Sequence, residues 1–308
     1  MIDILLATYN GEKYLPEQLQ SIERQSYPNW RLIARDDCSK DTTSLILQDF
    51  AKRHPNKVLL LPTTQNLGVV GNFSAAMEAS TAPYAALCDQ DDVWDCDKLS
   101  IMLTAIQELE KQHSAETPLL VHSDLRLVTS DLKPIASSFW RYTHLYPQET
   151  TTLNRLLAQN VVTGCALLCN RALLQFATPL PRETLMHDWW LALTASALGK
   201  IGVIDRQTLN YRQHGKNTLG AIKFCSPTHI RLALKRIFDL SSKKNLQAKV
   251  FLDRFSKQLS LDSRATLQTY LALKQMPAWK SRWVAWSNGF HKQGFLRQLC
   301  AFFLLKQP

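Results

Sequence analysis

Residues 84–94 read Tyr-Ala-Ala-Leu-Cys-Asp-Gln-Asp-Asp-Val-Trp, an apolar run that ends in three carboxylates, Asp89, Asp91 and Asp92. A short run without polar alternation predicts a strand buried on both faces, here Tyr84–Cys88. Carboxylates crowded at the end of such a strand repel one another, and a hard divalent cation with oxygen ligands would offset that repulsion. The spacing is not that of an EF-hand, since no Gly or closing Glu follows where that loop needs them. A solvated turn, with Asp95 capping the next helix, would also accommodate the charges.

The residues before this stretch alternate between strand and helix signals. Strands are expected at Ile2–Tyr9, Arg31–Arg35 and Val58–Leu61, and helices at Tyr14–Arg24, Thr42–Lys52 after an N-cap at Asp41, and Val70–Ala79. A helix at Lys98–Glu110 and a strand at Leu119–Val128 continue the pattern. This alternation predicts an α/β fold, a mostly parallel sheet with helices on both faces. Ligands of such sheets sit beyond the carboxyl ends of the strands, where Thr8-Tyr9-Asn10, Asp36-Asp37 and the acidic run all fall. A carboxylate of the Asp36-Asp37 pair could accept from a nucleobase ring N–H, or the pair could simply cap a turn. Tyr9 could pack on a base. The Thr8–Glu12 turn lacks the glycines of a Rossmann dinucleotide site, and the chain has no P-loop.

The second half is less regular. Pro134–Gln148 reads as a loop, Thr152–Gln159 as a short helix and Val161–Cys169 as a strand. Asp188–Leu198 reads as a helix, Lys200–Ile204 as a strand, and Gln207–Gly220 as the approach to a loop. Met186-His187-Asp188-Trp189-Trp190 opens that helix. Asp188 is either a cap or a general base beside an aromatic platform for a sugar. Tyr211-Arg212-Gln213-His214-Gly215-Lys216-Asn217 offers a metal-binding imidazole beside two cations, a set suited to a diphosphate.

The chain has 308 residues, 45% apolar and 20% charged, enough for one large α/β domain and a smaller appendage. Residues 221–308 hold 16 Lys and Arg against 3 Asp and Glu, leaving 20 against 23 in residues 1–220. An acidic body joined to a basic, helical tail suggests two tasks. In that tail Ile230, Leu234, Ile237 and Phe238 share a helical face, and Trp279, Trp283, Trp286 and Phe290 recur at helical spacing beside Lys280, Arg282 and Lys292. Basic helices with aromatic faces can lie on an anionic membrane surface; equally, these faces can pack on the body. No nucleic-acid motif is visible, so no nucleic-acid partner is expected. Seven cysteines, an odd number without a C-x-x-C pair, read as reduced thiols, with Cys165 and Cys169 as ordinary strand residues. No apolar run approaches a membrane span, and the N-terminus reads as a strand and not a signal peptide, so a cytoplasmic location is expected.

Taken together and in order, the segments ATYNGEKYLPEQLQSI, RDDCSKDT, NLGVVGNF, LCDQDDVW, VVTGCALL, MHDWW and YRQHGKNT resemble the family 2 glycosyltransferases of the GT-A fold, within them the bacterial rhamnosyltransferase-like group. The resemblance covers about residues 2–220, roughly two-thirds of the chain. It implies an inverting transfer from a nucleotide-diphosphate sugar of dTDP, UDP or GDP type, aided by Mg²⁺ or Mn²⁺. The acceptor would be a saccharide or lipid-linked saccharide of a bacterial surface polysaccharide, met at the inner face of the cell membrane. Ala7, Tyr9 and Asp37 would hold base and ribose, and Gly68 and Asn72 would line the nucleotide pocket. Asp89 would contact the ribose side, with further donor contacts at Thr8, Asn10, Glu12 and Gln90. Asp91 would bind the metal, Asp92 would support it, His214 would close over the metal-diphosphate, and Asp188 would be the catalytic base. Gln90 departs from the usual centre of the D-x-D motif but leaves its outer positions intact. The Q-x-x-R-W motif of processive synthases is missing, which implies single additions. The resemblance implies a catalytic domain over 1–224, its nucleotide-sugar half about 1–130 and its acceptor half about 131–224, followed by a basic helical region over 225–308. Two alternatives are a nucleotidyltransferase, which would want a Gly-rich or basic N-terminal loop, and a non-catalytic nucleotide-sugar-binding protein, which would lack the base or the metal ligands.

Overall fold

The computed structural model describes residues 1–215 and 230–293, with 230–240 by backbone alone. Lys216, Asn217, the expected boundary at Phe224 and the side chains of Ile230, Leu234, Ile237 and Phe238 therefore lie outside what is described. Strands β1 (Ile2–Thr8), β2 (Trp30–Asp36), β3 (Val58–Leu60) and β4 (Tyr84–Cys88) are all parallel, in the order β3-β2-β1-β4. They alternate with helices α1 (Leu15–Glu23), α2 (Thr43–Arg53), α3 (Gly68–Ala79) and α4 (Lys98–His113). β1 is almost wholly buried, as its unbroken Ile-Leu run requires of a strand covered on both faces. Asp3, the one charge inside it, accepts from Arg31, Ser80 Oγ and the Thr81 and Ala82 amides, all within 3.0 Å, so the charge is satisfied within the fold.

The sheet then changes character. β5 (Val93–Trp94), β6 (Leu119–Thr129), β7 (Pro134–Ala136), β8 (Leu167–Asn170) and β9 (Lys200–Gln213) extend it in the order β4-β8-β6-β9-β5, with β7 on the flank of β6. β8 runs antiparallel to both β4 and β6, while β6 and β9 are parallel. Among the described residues this makes one nine-stranded sheet, parallel over β3-β2-β1-β4 and mixed beyond it.

Three expectations for this half need correction. Pro134–Gln148 is no loop: it holds β7 and α5 (Phe139–Thr143), whose N-cap Ser138 accepts from the Arg141 amide at 3.0 Å. The strand expected over Val161–Cys169 begins only at Leu167, because upstream amides bond elsewhere: Val162 N donates to Asn160 Oδ1 and Gly164 N to Asp188 Oδ2. β9 does not stop near Ile204; register shifts along β6 let it keep pairing to Gln213. Two capping expectations also shift. The N-cap of α2 is Thr42, while Asp41 takes the Thr43 amide from one position earlier; Asp95 caps nothing and pairs with Arg126.

α6 (Leu153–Ala158), α7 (Arg171–Ala177) and α8 (His187–Leu198) follow, then α9 (Ile230–Arg254), α10 (Leu261–Ala272) and α11 (Ala278–Ser287). α8 is buried over His187–Ala195, and from Trp189 to Ala195 it is apolar but for Thr194, as suits a core helix. Phe251 and Phe255 of α9 pack on Trp190 at 5.2 and 6.0 Å between ring centroids. With Tyr270 and Phe290 they belong to the same hydrophobic core as Leu156 and Trp189. The helical tail thus packs on the body. Trp279, Trp283 and Trp286 do not join that core, at 73%, 65% and 63% exposed. Phe290 does not join them: α11 ends at Ser287, Gly289 turns the chain with φ 71°, and Phe290 swings into the core.

Candidate active site

A cleft of about 1690 Å³ opens at the carboxyl ends of β1, β2 and β4 and is closed on the far side by α8. Ala7, Thr8, Tyr9, Asn10, Asp37, Gly68, Asn72, Asp89, Gln90, Asp91, Asp188 and His214 all line it. Glu12 does not: its carboxylate accepts from Thr42 N at 3.0 Å and Thr42 Oγ1 at 2.8 Å, tying the loop after β1 to the start of α2.

The floor is wired through Arg35, a side chain the sequence reading passed over. Its buried guanidinium donates to Asp37 Oδ1 at 2.7 Å and Asn72 Oδ1 at 2.9 Å. Asp37 also accepts from the amides of Leu67 and Gly68, each at 2.8 Å, which fixes the loop that starts α3. Gly68 has φ 69°, the left-handed region that favours glycine. Asn72 returns its amide to Thr8 O and Arg35 O. Asp36 is the turn-former of the pair, bonded to Ser39 and Thr8 Oγ1. Gln90 clamps Tyr9 by both backbone groups, accepting from N at 2.8 Å and donating to O at 3.0 Å. A Cβ on Gly11 would sit 2.2 Å from Gln90 Oε1, so glycine there makes room for the clamp.

Asp91 and His214 meet: carboxylate Oδ2 and imidazole Nε2 are 2.7 Å apart, and the ring stacks on Tyr14 at 4.8 Å. Arg212 turns away from the cleft. It is buried, donates from Nε to Asp91 O at 2.8 Å and reaches Ser130 O and Glu17, so it anchors the acidic loop and does not face a ligand. Asp89 is pushed up to about 7, by burial first and then by Asp91 and Asp188. Asp92 is buried and raised, by that burial first and then by Asp91 and Asp89. Cys165 is not an ordinary strand residue: it lies in a 3₁₀ turn, with its sulfur within 4.8 Å of carboxylate oxygens of Asp89 and Asp92. Burial and those carboxylates push its thiol up and keep it protonated. Lys98 supplies one buried positive charge below the loop, donating to Cys165 O at 2.5 Å. In the cleft Asp89, Asp91 and His214 offer carboxylate and imidazole donors of the kind that fits Mg²⁺ or Mn²⁺, while among the described residues the one cluster of three close donors is Asp89, Asp92 and Cys165.

Asp188 occupies the first turn of α8 but does not cap it; Met186 holds the N-cap position. Its carboxylate reaches back across the cleft wall, accepting from Gly164 N at 3.0 Å and Asn160 Nδ2 at 3.2 Å. Burial pushes it up to about 7, against the lowering effect of those hydrogen bonds. A carboxylate poised there can take a proton near neutral pH. Its neighbours divide: Trp189 borders the cleft, whereas Trp190 is fully buried against α9 and offers no platform. His187 stacks on Phe73 at 3.9 Å, neither ring nitrogen has a partner, and burial lowers it to about 3, so it is neutral.

The family model for glycosyl transferase family 2 matches residues 3–174. The chain belongs to that family. A dTDP-rhamnosyl transferase, RfbG, of Shigella flexneri is 26% identical over 75% of this chain and 79% of its own. A UDP-Glc:alpha-D-GlcNAc-diphosphoundecaprenol beta-1,3-glucosyltransferase, WfgD, of Escherichia coli is 27% identical over 67% and 73%. The match to uncharacterised mycobacterial relatives, 26% identical, spans only 59% of their length. Among solved structures, S. aureus TarS 1-349 in complex with UDP-GlcNAc superposes with TM-score 0.54 over 94% of this chain and 88% of that one, at 17% identity. A mannosyltransferase of Pyrobaculum calidifontis, in complex with GDP-Man and Mn²⁺, gives 0.58 over 94% and 72%, at 15% identity. The GT-A fold expected from the sequence is thus the fold observed.

The family 2 match takes in the floor and the acidic loop but ends before Asp188, His214 and the C-terminal helices. Cleft residues that the sequence reading missed lie mostly outside it or in irregular chain. Asn160 and Gly164 hold Asp188 from a segment without periodicity, and Lys244 and Lys292 reach the cleft from the tail. The one local signal was the polar pair Gln159-Asn160 interrupting an apolar run.

Proposed function

We propose that this chain is an inverting, metal-dependent glycosyltransferase that moves one sugar from a nucleotide diphosphate to an acceptor hydroxyl. The observation that carries this is Asp188: a carboxylate raised to about 7 in the wall of the same cleft whose floor holds the Asp91–His214 pair. Asp188 takes the hydroxyl proton as the acceptor oxygen attacks the anomeric carbon. The new C–O bond forms on the face opposite the departing diphosphate, which inverts the centre. Gly164 N and Asn160 keep the base aimed, and the Arg35–Asp37–Asn72 network keeps the nucleotide floor rigid. Asp91 and His214 would hold the cation, with Asp89 and Asp92 behind them; bound there, it would offset charge growing on the leaving diphosphate.

The relative named as a dTDP-rhamnosyl transferase supports dTDP-L-rhamnose as donor, and the relative named for a diphosphoundecaprenol acceptor supports a lipid-linked glycan. The three exposed tryptophans of α11, with Lys280 and Arg282 between them, support docking at an anionic inner membrane face. Among the described residues no helix is long and apolar enough to cross a membrane.

A thermal-shift panel of dTDP, UDP and GDP, each with Mn²⁺, Mg²⁺ or EDTA, tests the donor reading. The matching nucleotide with its metal is expected to raise Tm, as about 2.7 kcal/mol of stabilisation at a hundredfold excess over Kd requires. No shift with any nucleotide would sink it.

A further inference from the structure

The turn between β1 and α1 is pinned along its backbone. Asn10 N donates to Ser39 Oγ at 2.8 Å and Gly11 N to Thr43 Oγ1 at 2.7 Å. Glu12 N donates to Asp41 Oδ2 at 3.2 Å, and the Glu12 carboxylate holds Thr42. Gln90 clamps Tyr9 from the acidic loop. Lys13 follows in the same turn, and its side chain is bound by none of this. It is exposed and lines the cleft. Among the described residues its ammonium makes no hydrogen bond and no ion pair, although Asp37, Asp89 and Asp91 line the same cleft.

What holds the ammonium is an aromatic ring. Lys13 Nζ lies over Tyr14, 4.9 Å from the ring centroid. A ring attracts a cation through its quadrupole, so the charge is placed while its N–H donors stay uncommitted. The Arg212 guanidinium lies 4.6 Å from the same centroid, but its nitrogens are spent on Asp91 O, Ser130 O and Glu17. The His214 imidazole stacks on that ring too, at 4.8 Å, and meets Asp91 from there. Tyr14 thus gathers an ammonium with unspent donors beside the Asp91–His214 pair. Lys244, which also lines the cleft, is by contrast buried and donates to Ala158 O.

A compact charge with several free donors suits an anion with several oxygens, and a diphosphate is such an anion. We propose that Lys13 is the protein's own cation for the donor diphosphate, offering its N–H groups to phosphate oxygens from its place on the Tyr14 ring. This rests on the glycosyltransferase reading of the cleft. When the bond to the anomeric carbon breaks, its electron pair leaves on the diphosphate oxygen. The acceptor oxygen forms the new bond and gives its proton to Asp188. Lys13 gains and loses no proton; it offsets the charge that the departing diphosphate takes up.

Isothermal titration of the full chain in Mn²⁺ tests it. dTDP, UDP and GDP are titrated first, and the tightest of them is compared with its own nucleoside, thymidine, uridine or guanosine. Lys13→Met is expected to weaken the diphosphate about tenfold, the loss of one charge-assisted contact, and to leave the nucleoside Kd unchanged. Lys13→Arg keeps the charge and should stay within about threefold of the native chain. Since Lys13 is exposed, Lys13→Met should melt where the native chain does. An unchanged diphosphate Kd in Lys13→Met overturns the proposal. So does an equal loss for the nucleoside, which would make Lys13 a prop for the turn and not a phosphate contact. The glycosyltransferase reading fails on a different result, a native chain that binds none of the three nucleotides, and the proposal then falls with it.

Discussion

Where β1 and β2 end, the polar groups are spent on one another. Arg35 holds Asp37 and Asn72, Asn72 holds the ends of both strands, and Gln90 holds Tyr9. The opposite wall of the cleft, built on α8, keeps its polar groups under tension. Asp188 is buried and raised, His187 has neither nitrogen partnered, and Lys244 is buried beside a second cation. The first wall is a rigid template that hydrogen bonds maintain whether or not a ligand is present. The second is held together by the apolar core around Trp190, Phe251 and Phe255, and its carboxylate Asp188 is held by Asn160 and the Gly164 amide. The proposed reaction, which grips one substrate and deprotonates another, calls for both kinds of wall.

The largest expected effect breaks the α8 wall alone. Asp188→Asn keeps the shape but cannot take a proton; transfer should fall roughly 10²–10⁴-fold while nucleotide affinity is unchanged. Full transfer activity in that variant would move the base elsewhere. Next, Asp91→Asn strikes the floor. It should cost on the order of 10²-fold in transfer and, unlike the first variant, weaken nucleotide binding too, as isothermal titration would register. Near-normal turnover in EDTA would remove the metal from the account.

A gentler probe leaves the sequence alone. Folding raises Asp188 to about 7, and the base works only when ionised. Transfer rate should therefore rise about tenfold per pH unit on the acid side and level off above about 7. The residual activity of Asp188→Asn should lack that limb, and a limb that persists belongs to another group. The smallest effect on the chemistry is expected from Trp279→Ser combined with Trp283→Ser and Trp286→Ser. In solution nucleotide binding should not change. Flotation with anionic vesicles, strong at low salt for the native chain, should be lost; undiminished flotation would put the membrane contact elsewhere.

The same two walls differ in how far they could be read from sequence. Strand-end positions in a parallel sheet are set by a short local pattern, so Asp37, Asp89 and Asp91 could be placed at one edge before any coordinates. What the pattern could not give was which carboxylate is spent internally. Asp36 and Asp37 look alike in sequence, yet Asp36 closes a turn and Asp37 carries the Arg35 network. Arg212 read as a cation for a diphosphate, and only the long-range partners Glu17 and Asp91 O reveal it as an anchor. On the α8 side the contacts that matter join residues far apart: Asn160 to Asp188, Ala158 to Lys244 and Gln159 to Gln293. Irregular chain carries no period, so these pairings leave no trace in one sequence. The tail was half legible: helical spacing grouped four aromatics, but a glycine turn after α11 sends Phe290 inward and leaves three tryptophans outside.

Arg212 also has a consequence for the order in which the molecule is finished. It joins α1, the acidic loop and the chain after β6, and it sits beside His214 at the far end of β9. A chain leaving the ribosome presents β1 to β4 early, and they can begin to pair as they emerge. Until residues 212–214 follow, the acidic loop has no guanidinium against Asp91 O and Asp91 has no imidazole across from it. A nascent or truncated chain can thus own a nearly complete nucleotide floor and still be unable to close its charged loop. Emergence of the end of β9, and not folding of the first strands, brings the acidic loop its partners.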